Sequence, residues 1–132
     1  ERAVSDDSLP FIPHPTDPLS HGVGEANARR ALPYRLPIES LNASTMTRYN
    51  KSAGKLAEDL SLTRLANSDA HTTKAVGDAY TEIDANEHSL QAVIEAIRAG
   101  KTYPRGGQTP VTTNIEGIWL KLLRRANLKK NP

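Results

Sequence analysis

The chain has 132 residues, 37% of them hydrophobic and 24% charged, with a net charge of +2 and no cysteine. That length suits one small domain or part of a larger one, and the lack of thiols excludes disulfides and thiolate metal sites. No apolar run approaches the roughly 20 residues of a membrane-spanning helix and no signal-peptide pattern opens the chain, so a cytoplasmic protein without membrane partners is expected.

Residues 1–8 are polar, a leader expected to fray. Residues 9–15 read as a short buried strand whose three prolines restrict its hydrogen bonding. A loop of turn formers over 16–24 leads to a short helix over 25–32, and a strand over 36–42 carries Glu39 among apolar neighbours. Ala53, Leu56, Ala57 and Leu60 recur at helical spacing and predict a helix over 47–60. An apolar strand over 63–68 runs into Asp69-Ala70-His71, and residues 79–83 have β character. Leu90, Val93, Ile94 and Ile97 form one stripe of a helix over 86–99, with Gly100 in the C′ position. Residues 101–110 are turn-rich.

Thr113-Asn114-Ile115-Glu116 resembles a capping box. It opens an amphipathic helix in the segment 111–132, with Ile115, Ile118, Trp119, Leu122 and Leu123 on one face. The end of that segment is basic, through Lys121, Arg124, Arg125, Lys129 and Lys130. Cations there favour a helix dipole; they can also attract nucleic acid or a membrane surface. Strands and helices in alternation predict an α/β fold with a mainly parallel sheet.

The chemistry concentrates at strand ends. Residues i and i+2 of an extended segment project from one face, so Asp69 and His71 could aim at one point, as two ligands of a metal ion would. The pair is a weak signal by itself, because an Asp can cap a turn and a His can simply be solvated. The polar neighbours Asn67, Ser68, Thr72 and Thr73 make a strand end of the kind that forms sites in α/β folds. His14 lies between two prolines and is held out of the helical region by the second; it is a third candidate ligand or a buried His bonded to backbone. Glu39 would be costly in a core unless paired or ligating, unless it points to solvent. His21, in a Gly-flanked loop, and Arg105, in a turn, could each meet a phosphate or be merely solvated. His88 reads as a surface residue. With no thiols, any metal must be held by His, Asp or Glu, which suits Zn, Mn, Fe or Mg.

Ile38-Glu39-Ser40-Leu41-Asn42, the helix through Asn50, Ala53 and Ala57, Asn67-Ser68-Asp69-Ala70-His71, Val76-Gly77 and the helix ending Ala96-Ile97-Arg98-Ala99-Gly100-Lys101 together resemble the C-terminal part of the polymerase and histidinol phosphatase (PHP) superfamily. The resemblance covers roughly residues 9–110. It implies the C-terminal portion of a distorted (βα)7-type barrel, mainly parallel, with divalent metal ions at the C-terminal ends of the strands. On this resemblance the ligands map onto His14, Asp69 and His71, and Asn67, Ser68, Arg105 and His21 are candidate phosphate contacts. The activity implied is metal-dependent hydrolysis of a phosphomonoester or of a nucleotide or oligonucleotide phosphate.

The family's first strand carries a His-x-His pair and further His and Glu ligands, and this sequence holds none of them. The remaining ligands are therefore expected on an N-terminal half outside this sequence, and the isolated chain is expected to be a weak or inactive hydrolase. One alternative is a non-catalytic PHP-like module that binds a partner or nucleic acid. Another is a small stand-alone α/β domain holding a single structural metal.

Overall fold

A computed structural model describes residues 8–20 and 22–113. His21, the leader and the amphipathic C-terminal helix expected around Trp119 lie outside the described residues. In chain order the elements are helix α1 (Glu25–Arg30), a 3-10 turn (Leu32–Tyr34), strand β1 (Ile38–Asn42), helix α2 (Thr47–Asp59), strand β2 (Arg64–Asn67), a second 3-10 turn (Thr73–Ala75), strand β3 (Ala79–Ile83), helix α3 (Leu90–Arg98) and strand β4 (Thr102–Gly106).

β1 and β2 pair in parallel, and Ile12 adds a parallel bridge to Ile38 on the other side of β1. That bridge is made by Ile12 N–H to the Pro37 carbonyl, 2.8 Å, and by Glu39 N–H to the Ile12 carbonyl, 2.9 Å. The sequence predicts a strand over residues 9–15. Pro10, Pro13 and Pro15 have no N–H to donate, and the segment is reduced to this one bridge. The α2 crossover between β1 and β2 turns Ala53, Leu56 and Ala57 inward. Leu56 and Ala57 meet Ile12, Ala28, Ile38 and Leu62 in the main core, which among the described residues contains no aromatic ring.

β3 and β4 form a second, antiparallel sheet. β4 departs from the expected turn over 101–110. Pro104 sits in mid-strand, which an edge strand tolerates because no partner requires its N–H. Gly106 ends the strand at φ +90°, and any side chain there would strike the Asp78 carbonyl. The order is thus α/β, with parallel and antiparallel pairs in equal number, and the described residues close no barrel.

The two sheets meet through a side chain. The Thr81 hydroxyl accepts from Ala66 N–H and donates to the Ala66 carbonyl, both at 2.8 Å, so it stands in for a neighbouring strand along β2. Ala43, Ala66 and Ala79 make a small second core there. α3 is shorter than the pattern predicts because Ser89 caps it, its hydroxyl accepting from Ala92 N–H at 3.2 Å. Helix dihedrals therefore begin at Leu90, and exposed His88 lies just before the helix. Gly100 follows it at φ +74°, the C′ role its sequence position predicts.

Candidate functional site

Four segments converge at the C-terminal ends of β1 and β2. The centre is Glu39, which is 3% exposed. Its Oε2 accepts from His14 N–H at 2.6 Å and from the Asn42 amide at 3.1 Å, and its Oε1 accepts from the Asn67 amide at 2.9 Å. A carboxylate buried without donors would be expensive, and here three neutral N–H groups satisfy it without a counter-ion.

Asn42 links this buried acid to the exposed one. Its amide nitrogen also donates to Asp69 Oδ2 at 3.2 Å, and its Oδ1 accepts from Ser44 N–H at 2.8 Å. Asn50 of α2 in turn brackets Asn42, accepting from its N–H at 3.0 Å and donating to its carbonyl at 2.9 Å. The arrangement depends on an irregularity in β1: Glu39 pairs with Leu65 but Leu41 with Ala66, leaving Ser40 as an extra residue. In a regular strand, residues three apart face opposite sides. The extra residue restores Glu39 and Asn42 to one side, which is why their side chains touch.

Asp69 follows β2 in a left-handed conformation, φ 46°, and its carbonyl accepts from the Ser44 hydroxyl at 2.9 Å. The same carbonyl lies 2.8 Å from His71 Nδ1. A carbonyl can only accept, so Nδ1 carries a proton, and in the neutral imidazole the lone pair is then on Nε2. Carbonyl partners of this kind set the tautomer and direction of ligating imidazoles. Both Asp69 and His71 are exposed.

His14 enters from the loop before α1, also left-handed at φ 24°. Its backbone, as noted, bonds Glu39, while its side-chain Nδ1 is buried with no hydrogen-bond partner. Gly22 packs against this turn so closely that any Cβ would strike the His14 carbonyl. Asp17 closes the loop from beneath. Its carboxylate accepts from Leu19 N–H at 2.9 Å, the Ser20 hydroxyl at 2.9 Å and the Thr45 hydroxyl at 3.1 Å. Burial pushes its pKa up, but those three donors and the nearby His14 charge outweigh burial and hold the carboxyl below the ordinary aspartate range.

The structure thus brings His14, Asp69 and Asn67 to one polar end, with His71 attached through Asp69. Asn67 gives its amide to Glu39 rather than leaving it free for a phosphate. Ser68 is half-buried, its carbonyl 3.4 Å from the Ser44 hydroxyl. Arg105 stands elsewhere, on β4, its Nε 2.8 Å from Glu82 Oε2 and its guanidinium over the Tyr103 ring. That acceptor raises its pKa further. Among the described residues, no three His, Asp or Glu side chains are grouped so as to hold an ion as they stand. The candidate donors are of the right kind, nitrogen and carboxylate oxygen only, and the imidazole nitrogen of His14 is buried without a partner.

Asn42, Asn50, Ser44 and Asp17 were not anticipated as site residues. Asn42 stands three residues after Glu39, and period-2 reading assigns it to the opposite face. The one available signal was the ending of β1 on a buried amide just ahead of Ala43-Ser44-Thr45, a polar strand end like the one after β2.

Residues 47–102 match the model of a family described as PHP-associated. This stretch runs from the start of α2 to the first residue of β4 and includes Asp69 and His71, while His14 and Glu39 precede it. No curated protein and no solved structure matches the chain. No helix among the described residues is long and apolar enough to cross a membrane.

Proposed function

We propose that this chain, a C-terminal PHP-superfamily segment over residues 47–102, contributes part of the metal site of a phosphoesterase acting on phosphomonoesters or on nucleotide or oligonucleotide phosphates. The observation that carries this reading is the polar end of β1 and β2. Two acids, one buried and one exposed, are coupled through a single amide, and the buried one also accepts from the backbone of His14, whose side-chain Nδ1 lacks a partner. His14 through Nδ1, Asp69 through its carboxylate and His71 through Nε2 would hold a divalent ion, Zn, Mn, Fe or Mg. Such an ion, when bound, lowers the pKa of a water and neutralises developing charge on a phosphoryl oxygen.

The chain's own residues prepare that position. Glu39 holds His14 by the backbone and Asn42 and Asn67 by their amides, so the loop and both strand ends are fixed to one carboxylate. Asn42 orients Asp69, and the Asp69 carbonyl fixes the tautomer of His71. Ser44 anchors the turn that carries both. Remaining ligands, and with them the first half of a (βα)7-type barrel, belong to sequence outside this chain on this reading.

The test is phosphate release with Mn²⁺ on a generic phosphomonoester. The natural protein containing this sequence should turn over, and its Asp69→Asn and His71→Ala forms should lose most of that activity. The 132-residue chain alone should show little. Metal bound with no turnover in the natural protein would favour a non-catalytic PHP-like module.

A further inference from the structure

The opposite ends of the same two strands are basic. Arg35, Arg64 and Arg98 line one cleft of about 400 Å³ between the C-terminal ends of α2 and α3 and the start of β2, a size within the range of small-ligand sites. Ser61, Thr63 and Thr102 add hydroxyl groups to its wall, and Glu58 is its one acid. Glu58 faces Arg64 across 3.1 Å in an exposed pair, a weak contact that a stronger anion can displace. Among the described residues Arg35 reaches the Ser61 carbonyl alone, at 3.4 Å. No hydrogen bond or ion pair engages Arg98 among the described residues.

A cation at a helix C-terminus complements the dipole, which accounts for Arg98 but not for Arg64 at the start of a strand. Arg35 and Ser61 both follow helix ends in left-handed conformations, φ 48° and 51°. Glycine fills such positions without strain, yet here they carry a guanidinium and a hydroxyl that face one cleft. Among the described residues, the other two non-glycine residues with positive φ, His14 and Asp69, belong to the polar end. Backbone strain gathers at functional positions more often than elsewhere.

The cleft also continues. Arg35, Thr63 and Arg98 are shared with a second recess of about 250 Å³, whose wall includes Leu9, Pro10, Tyr34 and Leu36. Charge and apolar surface are therefore adjacent. We infer that this face is a second ligand site, distinct from the carboxylate end, which takes a small phosphate ester. Its phosphate lies among the three guanidinium groups, which suit bidentate recognition of phosphate, and its apolar or aromatic body lies in the adjoining recess.

Calorimetric titration of inorganic phosphate and of phenyl phosphate into the chain, at low salt and with EDTA present, tests this. EDTA removes any metal, so the carboxylate end contributes nothing. Phenyl phosphate should bind saturably and more tightly than phosphate. The exposed substitutions Arg35→Gln and Arg98→Gln, verified as folded by circular dichroism, should each weaken it about tenfold or more. Arg98→Lys should recover part of the loss, and Arg105→Gln and Asp69→Asn should change nothing. Absence of saturable binding, or binding indifferent to both cleft arginines, would overturn the site. Equal affinity for the two probes would overturn the assignment of an apolar body. Weakening by Asp69→Asn would assign the binding to the other end instead.

Discussion

The two ends of the β1–β2 pair differ in how their charges are held. At the C-terminal end the buried acid Glu39 is satisfied by donors from three separate segments: His14, Asn42 and Asn67. At the N-terminal end Arg35, Arg64 and Arg98 are exposed; Arg35 and Arg64 are bonded loosely, and among the described residues no bond engages Arg98. A buried anion requires its surroundings to be built around it, whereas a guanidinium on the rim remains hydrated and requires little. Substitutions at the first end should therefore disturb folding, and those at the second should disturb only what binds there.

The largest expected effect lies on the strand that supports both. Ile38 is fully buried, and Ile38→Ala should cost about 2–5 kcal/mol in a denaturant melt. Glu39→Gln comes next, and it separates the two ends most clearly. All three partners of Glu39 are donors, and glutamine offers only one acceptor oxygen, so an N–H must face an N–H. A loss of about 1–3 kcal/mol follows. A neutral outcome would mean that the carboxylate is not held as described.

Asn42→Ala should act on function as well as stability. It removes the link between Glu39 and Asp69, and loss of a group that orients a ligand lowers metal affinity by about 10–100-fold. Metal affinity unchanged in this variant would assign Asn42 to folding alone.

Acid provides a further test of the first end. The Asp17 pKa is lowered in the fold, so its contribution to stability is fully present above the unfolded value of about 3.9 and is lost as pH falls through the lower folded value. Thermal melts should therefore decline more steeply below about pH 4 in the wild type than in Asp17→Asn. Equal slopes would remove Asp17 from the loop's support. The smallest effects belong to the basic end, where Arg98→Gln should move stability by no more than about 0.5 kcal/mol.

Much of this was legible in the sequence. The helical stripes of α2 and α3 and the strand at 79–83 follow from period, whereas Asp69 lies beyond β2 in a left-handed conformation, so the period-2 argument that aims it with His71 does not hold there. What escaped did so for identifiable reasons. Ser40 adds one residue to β1 and moves Asn42 to the face of Glu39, which no period-2 pattern shows. β4 contains Pro104, ends in Gly106 and is followed by Gly107, so it reads as a turn, and only its edge position makes it a strand. Asp17 gave no periodic signal, because its donors come from the adjacent turn and from Thr45, distant in sequence. The arginines of the basic end lie in three separate stretches of irregular or terminal backbone, and nothing in their spacing predicts that they share a cleft.

On the proposed function, His14, Asp69 and His71 form part of a divalent metal site. Calorimetric titration of Zn²⁺ into the chain in chelator-free buffer tests it most directly. Saturable binding is expected, weakened in Asp69→Asn, lost in His14→Ala and His71→Ala, and unchanged in Arg98→Gln. A wild-type chain that binds no ion, or one whose affinity survives in all three site variants, would contradict the account.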